Sequence, residues 1–316
     1  MRKKALWTSC VLLLLLFLTL SACTPSGADT PPDTQPPPTQ TAPGEEVFVF
    51  TRENLPRLDG STSLVPMAQA VCSVLLGESR EEVDDLVQFS KTTNSFQNLI
   101  YGRADLLIVG EPNESVLAAK ESAGFQWEMS PFSMDAFVFV VNTDNPVNSI
   151  TVEQARAIYT GEITNWQELG GEDQKIIPFQ RNAEAGSQAL MEKLVMQGTP
   201  MMEPPTDYVI GAMDWLMEAV RSYDGSPGAI GYSVYYYAEE MRMAQGLKLL
   251  AIDGVEPNAD TIRSGEYPLC SPNYVIIPAD APEDAPNRIL YNWILGEEGQ
   301  RLADHEGYVP ILEVTP

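Results

Sequence analysis

The sequence predicts an α/β fold built in layers, and three observations carry that prediction. Short apolar runs alternate with stretches of helical spacing along most of the chain. Helical stretches carry start signals, such as Thr151 with Gln154 three residues on, a capping-box spacing. About 270 residues follow position 46, enough for two lobes of ordinary size. Strand–helix alternation of this kind implies layers with largely parallel strands. No internal repeat is visible.

Taken in order, Val47 to Thr51 reads as a strand, and Gly60 to Pro66 as a turn opening a helix through Leu76. Leu86 to Ser90 reads as a strand, Ser95 to Tyr101 as a helix, and Ala104 to Val109 as a buried strand. Ala136 to Asn142 is strongly β, with Phe137, Val138, Phe139, Val140 and Val141 in succession. Thr151 then opens a helix. Ile176 to Gln180 is a strand, followed by a helix over about Ala185 to Met196. Asp214 to Tyr223 is helical, and Ala229 to Tyr232, Leu247 to Ile252 and Tyr274 to Ile277 are strands. Pro286 to His305 is the closing helix, with Ile289, Leu290, Trp293, Ile294 and Leu302 on its apolar face.

The N-terminus carries an export signal. Arg2, Lys3 and Lys4 precede an apolar run densest at Val11 to Leu16, which ends in Leu20-Ser21-Ala22-Cys23. These are the parts of a secretory signal, and the run is short for a membrane span, which needs about 20 apolar residues. Leu-Ser-Ala-Cys resembles the bacterial lipobox, whose cysteine takes a diacylglyceryl thioether before cleavage in front of it. That resemblance makes residues 1–22 a lipoprotein signal peptide and Cys23 the lipidation site. An uncleaved anchor helix with an incidental cysteine is the other reading. From Thr24 to Glu46, Pro, Thr, Ser and Gln dominate and no apolar pattern offsets the entropy of ordering, so residues 23–46 read as a disordered, lipid-anchored linker. The expected location is the extracytoplasmic face of the cell membrane.

The formal net charge is −25, and loss of Arg2, Lys3 and Lys4 with the signal takes it to −28. So acidic a body excludes nucleic acid as a partner, since phosphates are repelled over a Debye length. It does not exclude a small anion held by local hydrogen bonds. Cys72 and Cys270 remain once Cys10 leaves and Cys23 is lipidated. Neither has metal-ligand spacing and the single histidine is His305, so no metal and no cofactor are expected. Both cysteines read as buried thiols, with a disulfide as the alternative. One histidine and no Gly-x-Ser-x-Gly leave no hydrolase machinery, so the chain is not expected to be an enzyme. Tyr235-Tyr236-Tyr237 and Met201-Met202 read as packing or loop cover.

Three loops share a character: Gly60-Ser61-Thr62-Ser63-Leu64-Val65-Pro66, Ser90-Lys91-Thr92-Thr93-Asn94-Ser95 and Arg181-Asn182-Ala183-Glu184-Ala185-Gly186-Ser187. Each follows a strand-like run, is rich in small hydroxyl or glycine residues, and opens a helix. A helix start offers unpaired N–H groups and a positive dipole end. Hydroxyls add donors, and arginine adds a fork suited to tetrahedral oxyanions. Taken singly, each loop reads equally as an ordinary N-cap. Together they suit an oxyanion, provided they converge.

The chain resembles the phosphate-binding proteins of bacterial phosphate ABC transporters over nearly all of residues 47–311. The matching stretches are Gly60 to Pro66, Ser133 to Asn142, Ile158-Tyr159-Thr160-Gly161-Glu162-Ile163-Thr164-Asn165-Trp166 and Pro227-Gly228-Ala229-Ile230-Gly231-Tyr232. The stretch ending at Trp166 is the most specific. The resemblance implies a two-lobed type II periplasmic-binding-protein fold with two hinge strands near Ala136–Asn142 and Tyr267–Ile277. Lobe 1 would be residues 47–135 plus 272–316, and lobe 2 residues 136–271. It implies capture of inorganic phosphate, or a similar oxyanion, and delivery to an ABC permease by a monomer tethered to the bilayer through Cys23. The family's first-loop contacts fall on Ser63 and the Leu64 N–H, with Thr62 adjacent, and the second-loop serine on Thr92 or Thr93. The arginine falls on Arg181, and the family's Ser-Gly-Thr appears as Ala185-Gly186-Ser187. The family's aspartate, which accepts a hydrogen bond from protonated phosphate, aligns near Gly110, with Glu111 the nearby carboxylate. That departure leaves room for another oxyanion, a small organic anion, or a non-transport sensor on the same fold.

Overall fold

The computed structural model describes residues 48–204 and 209–312. The signal peptide, Cys23 and the linker lie outside the described residues. The strands are β1 (Leu58–Gly60), β2 (Leu106–Val109), β3 (Trp127–Asn142), β4 (Ser149–Ile150), β5 (Ile177–Pro178), β6 (Gln180–Arg181), β7 (Val209–Ile210), β8 (Ala229–Val234), β9 (Leu247–Leu249), β10 (Ala251–Ile252), β11 (Cys270–Pro278) and β12 (Val309–Pro310). The α-helices are α1 (Val65–Leu76), α2 (Thr92–Ile100), α3 (Glu114–Ala123), α4 (Val152–Thr160), α5 (Gly186–Leu190), α6 (Met213–Ser222), α7 (Tyr235–Ala238), α8 (Ala259–Arg263), α9 (Pro286–Leu295) and α10 (Glu297–His305).

Eight strands form one sheet in the order β1-β2-β11-β3-β8-β5, with β12 and β9 also pairing with β3. The sheet is mixed, which corrects the expectation of largely parallel strands. β1–β2 and β5–β8 run parallel, but β11 lies antiparallel to both β2 and β3. β3 is also antiparallel to β8, β9 and β12. The chain leaves along β3, builds a second body, and returns along β11 beside the strand it left by. A returning strand in that position runs the other way.

Two large apolar cores flank this crossing. One draws on Ala136–Val141 of β3, Tyr159, Trp166, Leu216 of α6, Ile230 of β8 and Leu269. The other draws on Leu64 just before α1, Met67 and Val71 of α1, Ile108 of β2, Phe132 of β3, Val275 of β11 and Leu290 of α9. A smaller cluster seats α2 and α3 on the opposite face of β2. β3 is long enough, at 16 residues, to serve both bodies. A register shift at Asn273/Tyr274 breaks its ladder with β11 near the change of core.

The sequence motifs explain local detail. The Thr151/Gln154 capping box forms with both reciprocal bonds. The indole Nε1 of buried Trp166 donates to the Gly228 carbonyl at 2.9 Å, tying two of the resemblance stretches together. Only glycine fits at 228, where a Cβ would lie 2.7 Å from the Lys175 carbonyl.

Three segments differ from the sequence expectation. Residues 48–51 form no strand: the Asn54 side chain takes the Thr51 N–H and donates to the Val49 carbonyl, so a local turn replaces a ladder. Leu86 to Ser90 is not a strand either. A 3₁₀ turn ends at Leu86, and the Asp59 carboxylate receives both the N–H and the hydroxyl of Ser90. The closing helix is two helices, broken at Gly296. Cys72 is buried and Cys270 half-buried, and both are free thiols. Burial raises the Cys72 thiol to about 12. Tyr236 and Tyr237 are buried, and Tyr236 stacks on Tyr308 at 3.7 Å.

Candidate functional site

Asp59 organises the first two loops. It is the middle residue of β1, buried, and accepts from the N–H groups of Gly60 and Ser90, the Ser90 hydroxyl and the Asn98 amide at 2.6–2.7 Å. Gly60 lies so close to β2 that a Cβ would meet the Ile108 carbonyl at 1.9 Å. The chain then turns at Ser61, whose hydroxyl lies 3.0 Å from that of Thr92 and accepts the Gly110 N–H at 3.1 Å. Three loops are thereby joined by one serine. Thr62 and Ser63 follow as the first residues of a 3₁₀ turn, where position leaves their N–H groups without intrahelical partners. The Leu64 N–H behaves otherwise: it donates to the Ser61 carbonyl at 2.9 Å, and its side chain is fully buried in the core, so it faces the protein.

Lys91 leads into α2 with φ +73°, a left-handed conformation that costs a side-chain-bearing residue energy. Thr92 turns its hydroxyl to Ser61, as above. Thr93 points elsewhere: its hydroxyl donates to the Glu184 carbonyl at 3.0 Å and accepts the Asn113 amide. It bridges two loops rather than lining the space between them.

Arg181 ends β6 and is 7% exposed. Its N–H donates to the Tyr232 hydroxyl, and its guanidinium reaches the carbonyls of Ile210 and Gly211, the Ser187 hydroxyl and the Met213 sulfur. Among the described residues it forms no ion pair. Burial pulls its pKa below the ordinary arginine value, yet arginine stays charged in proteins. A buried cation is costly unless paired. Gly186 completes the third loop: a Cβ there would lie 2.6 Å from the Thr92 hydroxyl, so only glycine lets these segments meet.

These groups border a cleft of about 680 Å³. Of the residues expected from sequence, Thr62, Ser63, Thr92, Glu111, Arg181, Gly186 and Ser187 line it, and Leu64 and Thr93 do not. Glu111 lines it with a committed carboxylate: Lys193 forms an ion pair with one oxygen, and the Tyr274 hydroxyl donates to the other at 3.3 Å. Cys23 is outside the described residues.

Sequence reasoning passed over Asp59 and Asp135, and took in Ser61 and Lys91 only as members of their loops. An acidic residue at the head of the apolar run 136–141 was the available signal for Asp135, and Asp59, between Leu58 and Gly60, carried none. Asp135, at the change of core in β3, is 4% exposed and lines the cleft. One carboxylate oxygen accepts the N–H groups of Ala136 and Tyr236, and the other has no hydrogen-bond partner among the described residues. Burial raises it to about 6. Among the described residues, no cluster of three or more His, Cys, Asp or Glu could hold a metal ion.

The model of the PBP superfamily domain matches residues 56–294, three quarters of the chain. The chain belongs to the PBP superfamily. Among similar PBP proteins, the phosphate-binding protein PstS of Bacillus subtilis (strain 168) is 26% identical over 261 residues, covering 81% of each chain. Two solved structures share the fold. A putative phosphate ABC transporter substrate-binding protein from Clostridium perfringens, with bound phosphate, matches with a TM-score of 0.64 at 22% identity, over 81% of this chain and 98% of that one. An ABC-type phosphate transport receptor from Vibrio cholerae matches with a TM-score of 0.60 at 23% identity, over 82% and 99%. The PBP fold here is therefore the two-lobed type II arrangement, with β3 and β11 as the hinge strands.

Proposed function

We infer that this chain is the extracytoplasmic substrate-binding protein of an ABC transporter, capturing inorganic phosphate between its lobes for delivery to a permease. The observation that carries this is Arg181: a buried guanidinium with no carboxylate ion-pair partner among the described residues, in a cleft edged by Thr62, Ser63, Thr92 and Ser187. An anion entering there would supply the missing charge, and the hydroxyls and first-turn N–H groups would replace its water shell. The similarity to proteins named for phosphate binding supports the choice of anion. Lobe 1 would be residues 47–135 plus 272–316 and lobe 2 residues 136–271, closing about the hinge strands. The chain would act as a monomer, without a cofactor or catalytic step, tethered to the bilayer through lipid on Cys23.

One observation favours a second reading, a binding protein for a different oxyanion or a small organic anion. Glu111, the carboxylate nearest the family's acceptor position, is held by Lys193 and Tyr274. A free acceptor separates protonated phosphate from sulfate, because an unpaired buried polar group costs about 1–3 kcal/mol. Titration calorimetry of the purified chain with phosphate and with sulfate tests both readings. Phosphate heat with no sulfate heat is the expected result. Sulfate bound as tightly as phosphate favours the second reading, and no heat with millimolar phosphate removes the first.

A further inference from the structure

The cleft exceeds what an inorganic anion fills. Contacts across it are already made: the Thr93 hydroxyl reaches the Glu184 carbonyl, and Lys193 pairs with Glu111. Even so, about 680 Å³ stays open, room for about twenty waters at ~30 Å³ each. A tetrahedral oxyanion has five heavy atoms. Pockets for organic ligands run from ~300 to ~1,000 Å³ and are mostly apolar with a few placed polar groups.

The lining divides by chemistry in that way. The three loops and Arg181 supply the polar end. Val234 and Tyr237 at the two sides of the β8–α7 junction, Met241 and Met243 just beyond α7, and Pro272 in β11 supply an apolar wall, bordered by the polar side chains of Asp135, Asp214, Ser271 and Asn273. Met213 links the two ends, with its sulfur 3.4 Å from the Arg181 guanidinium. Tyr237 is 6% exposed, so its ring is held rigidly, whereas the three methionines are half-buried and adaptable. A hydrated inorganic ion gains nothing from such a wall. A ligand with carbon attached to its oxyanion gains the burial of that carbon.

We propose that this wall is a subsite for the organic group of a phosphonate or phosphate monoester whose tetrahedral head lies against Arg181. It rests on the oxyanion reading above and widens its substrate class. No bond is made or broken, and the ligand is held and released whole.

Calorimetry of the purified chain with inorganic phosphate, methylphosphonate, phenylphosphonate and phenyl phosphate decides it. The phenyl ligands should bind about tenfold or more tightly than methylphosphonate, in line with the extra apolar area buried. Val234→Phe, which fills the wall, should remove that gain and leave phosphate affinity unchanged. Phosphate binding with exclusion of both phenyl ligands would overturn the subsite and leave the phosphate reading standing. Phenyl ligands binding without phosphate would keep the subsite and remove the inorganic assignment. Should Val234→Phe lose phosphate binding too, the phenyl-to-methyl ratio in the unsubstituted chain remains decisive. A ratio near one overturns the subsite. A preference for phenyl phosphate over phenylphosphonate assigns the ester, and the reverse the phosphonate.

Discussion

Arg181 is the residue on which the proposed oxyanion capture turns. Its charge is buried, its fork is held by backbone carbonyls, and among the described residues no carboxylate pairs with it directly, although Asp214 acts on it through space. Arg181→Ala should weaken phosphate binding by about 100-fold or more, the loss expected for breaking a buried charge-assisted contact. Calorimetry reads it directly, and unchanged affinity would end the oxyanion model. Asp135 makes a separate statement about stability. Its folded pKa of about 6 stands above the ordinary 3.8. A raised pKa contributes stability that is complete below about pH 4 and is lost as pH rises through 6. A shift of about two units corresponds to about 3 kcal/mol. Asp135→Asn keeps an oxygen for the Ala136 and Tyr236 N–H groups and removes the charge. Its stability relative to the unsubstituted chain should rise by about that amount between pH 4 and pH 7 in denaturant melts. A flat difference would show that burial of the charge is not the cause.

At the scale of elements, the site depends on close approach between loops that are far apart in sequence. Gly186 faces the Thr92 hydroxyl with no room for a methyl group. Gly186→Ala should push the third loop off the second and lower phosphate affinity by about tenfold, while the melting temperature changes by only a few degrees. A variant with native affinity would show that the loops need not meet. Helix α4 offers a contrast, since its start is local. Thr151→Ala should cost about 1 kcal/mol of unfolding free energy, as loss of an N-cap does, with ligand affinity unaffected.

At the scale of the whole molecule, the proposed closure would draw on weak contacts such as one exposed ion pair. The Lys193–Glu111 pair crosses the cleft, but the lysine side chain is 57% exposed. Exposed ion pairs are worth up to about 1 kcal/mol. Lys193→Met should therefore change phosphate affinity less than about fivefold, and less still at high salt. A larger loss would mean the pair holds the closed form. The N-terminal signal adds an expectation about placement. Cys23→Ala should move the chain from the membrane fraction to the soluble one, read by fractionation and by mass spectrometry of the lipidated N-terminus. A membrane-bound alanine variant would favour an uncleaved anchor helix.

Sequence by itself determined what short-range patterns encode. The apolar run Phe137–Val141, the Thr151/Gln154 cap, the alternation of strand and helix, and the hydroxyl-rich loops were all legible, because periodicity and capping act within a few residues. Thr62, Ser63, Thr92, Arg181, Gly186 and Ser187 were picked out by the resemblance to phosphate-binding proteins, and the structure brings them to one cleft. Tertiary structure decided where partners lie far apart in the chain. Leu86 to Ser90 looks like a strand until Asp59 takes its donors, and at 48–51 the Asn54 side chain takes the groups a ladder would use. Glu111 could have faced the cleft freely, but Lys193, 82 residues away, holds it. Asp135 is a carboxylate in a strand by sequence, and only the crossing of β3 and β11 buries it beside a ligand space. Local propensity fixes which backbone a segment prefers, whereas burial and long-range pairing fix which donor, acceptor or charge is left over for a ligand.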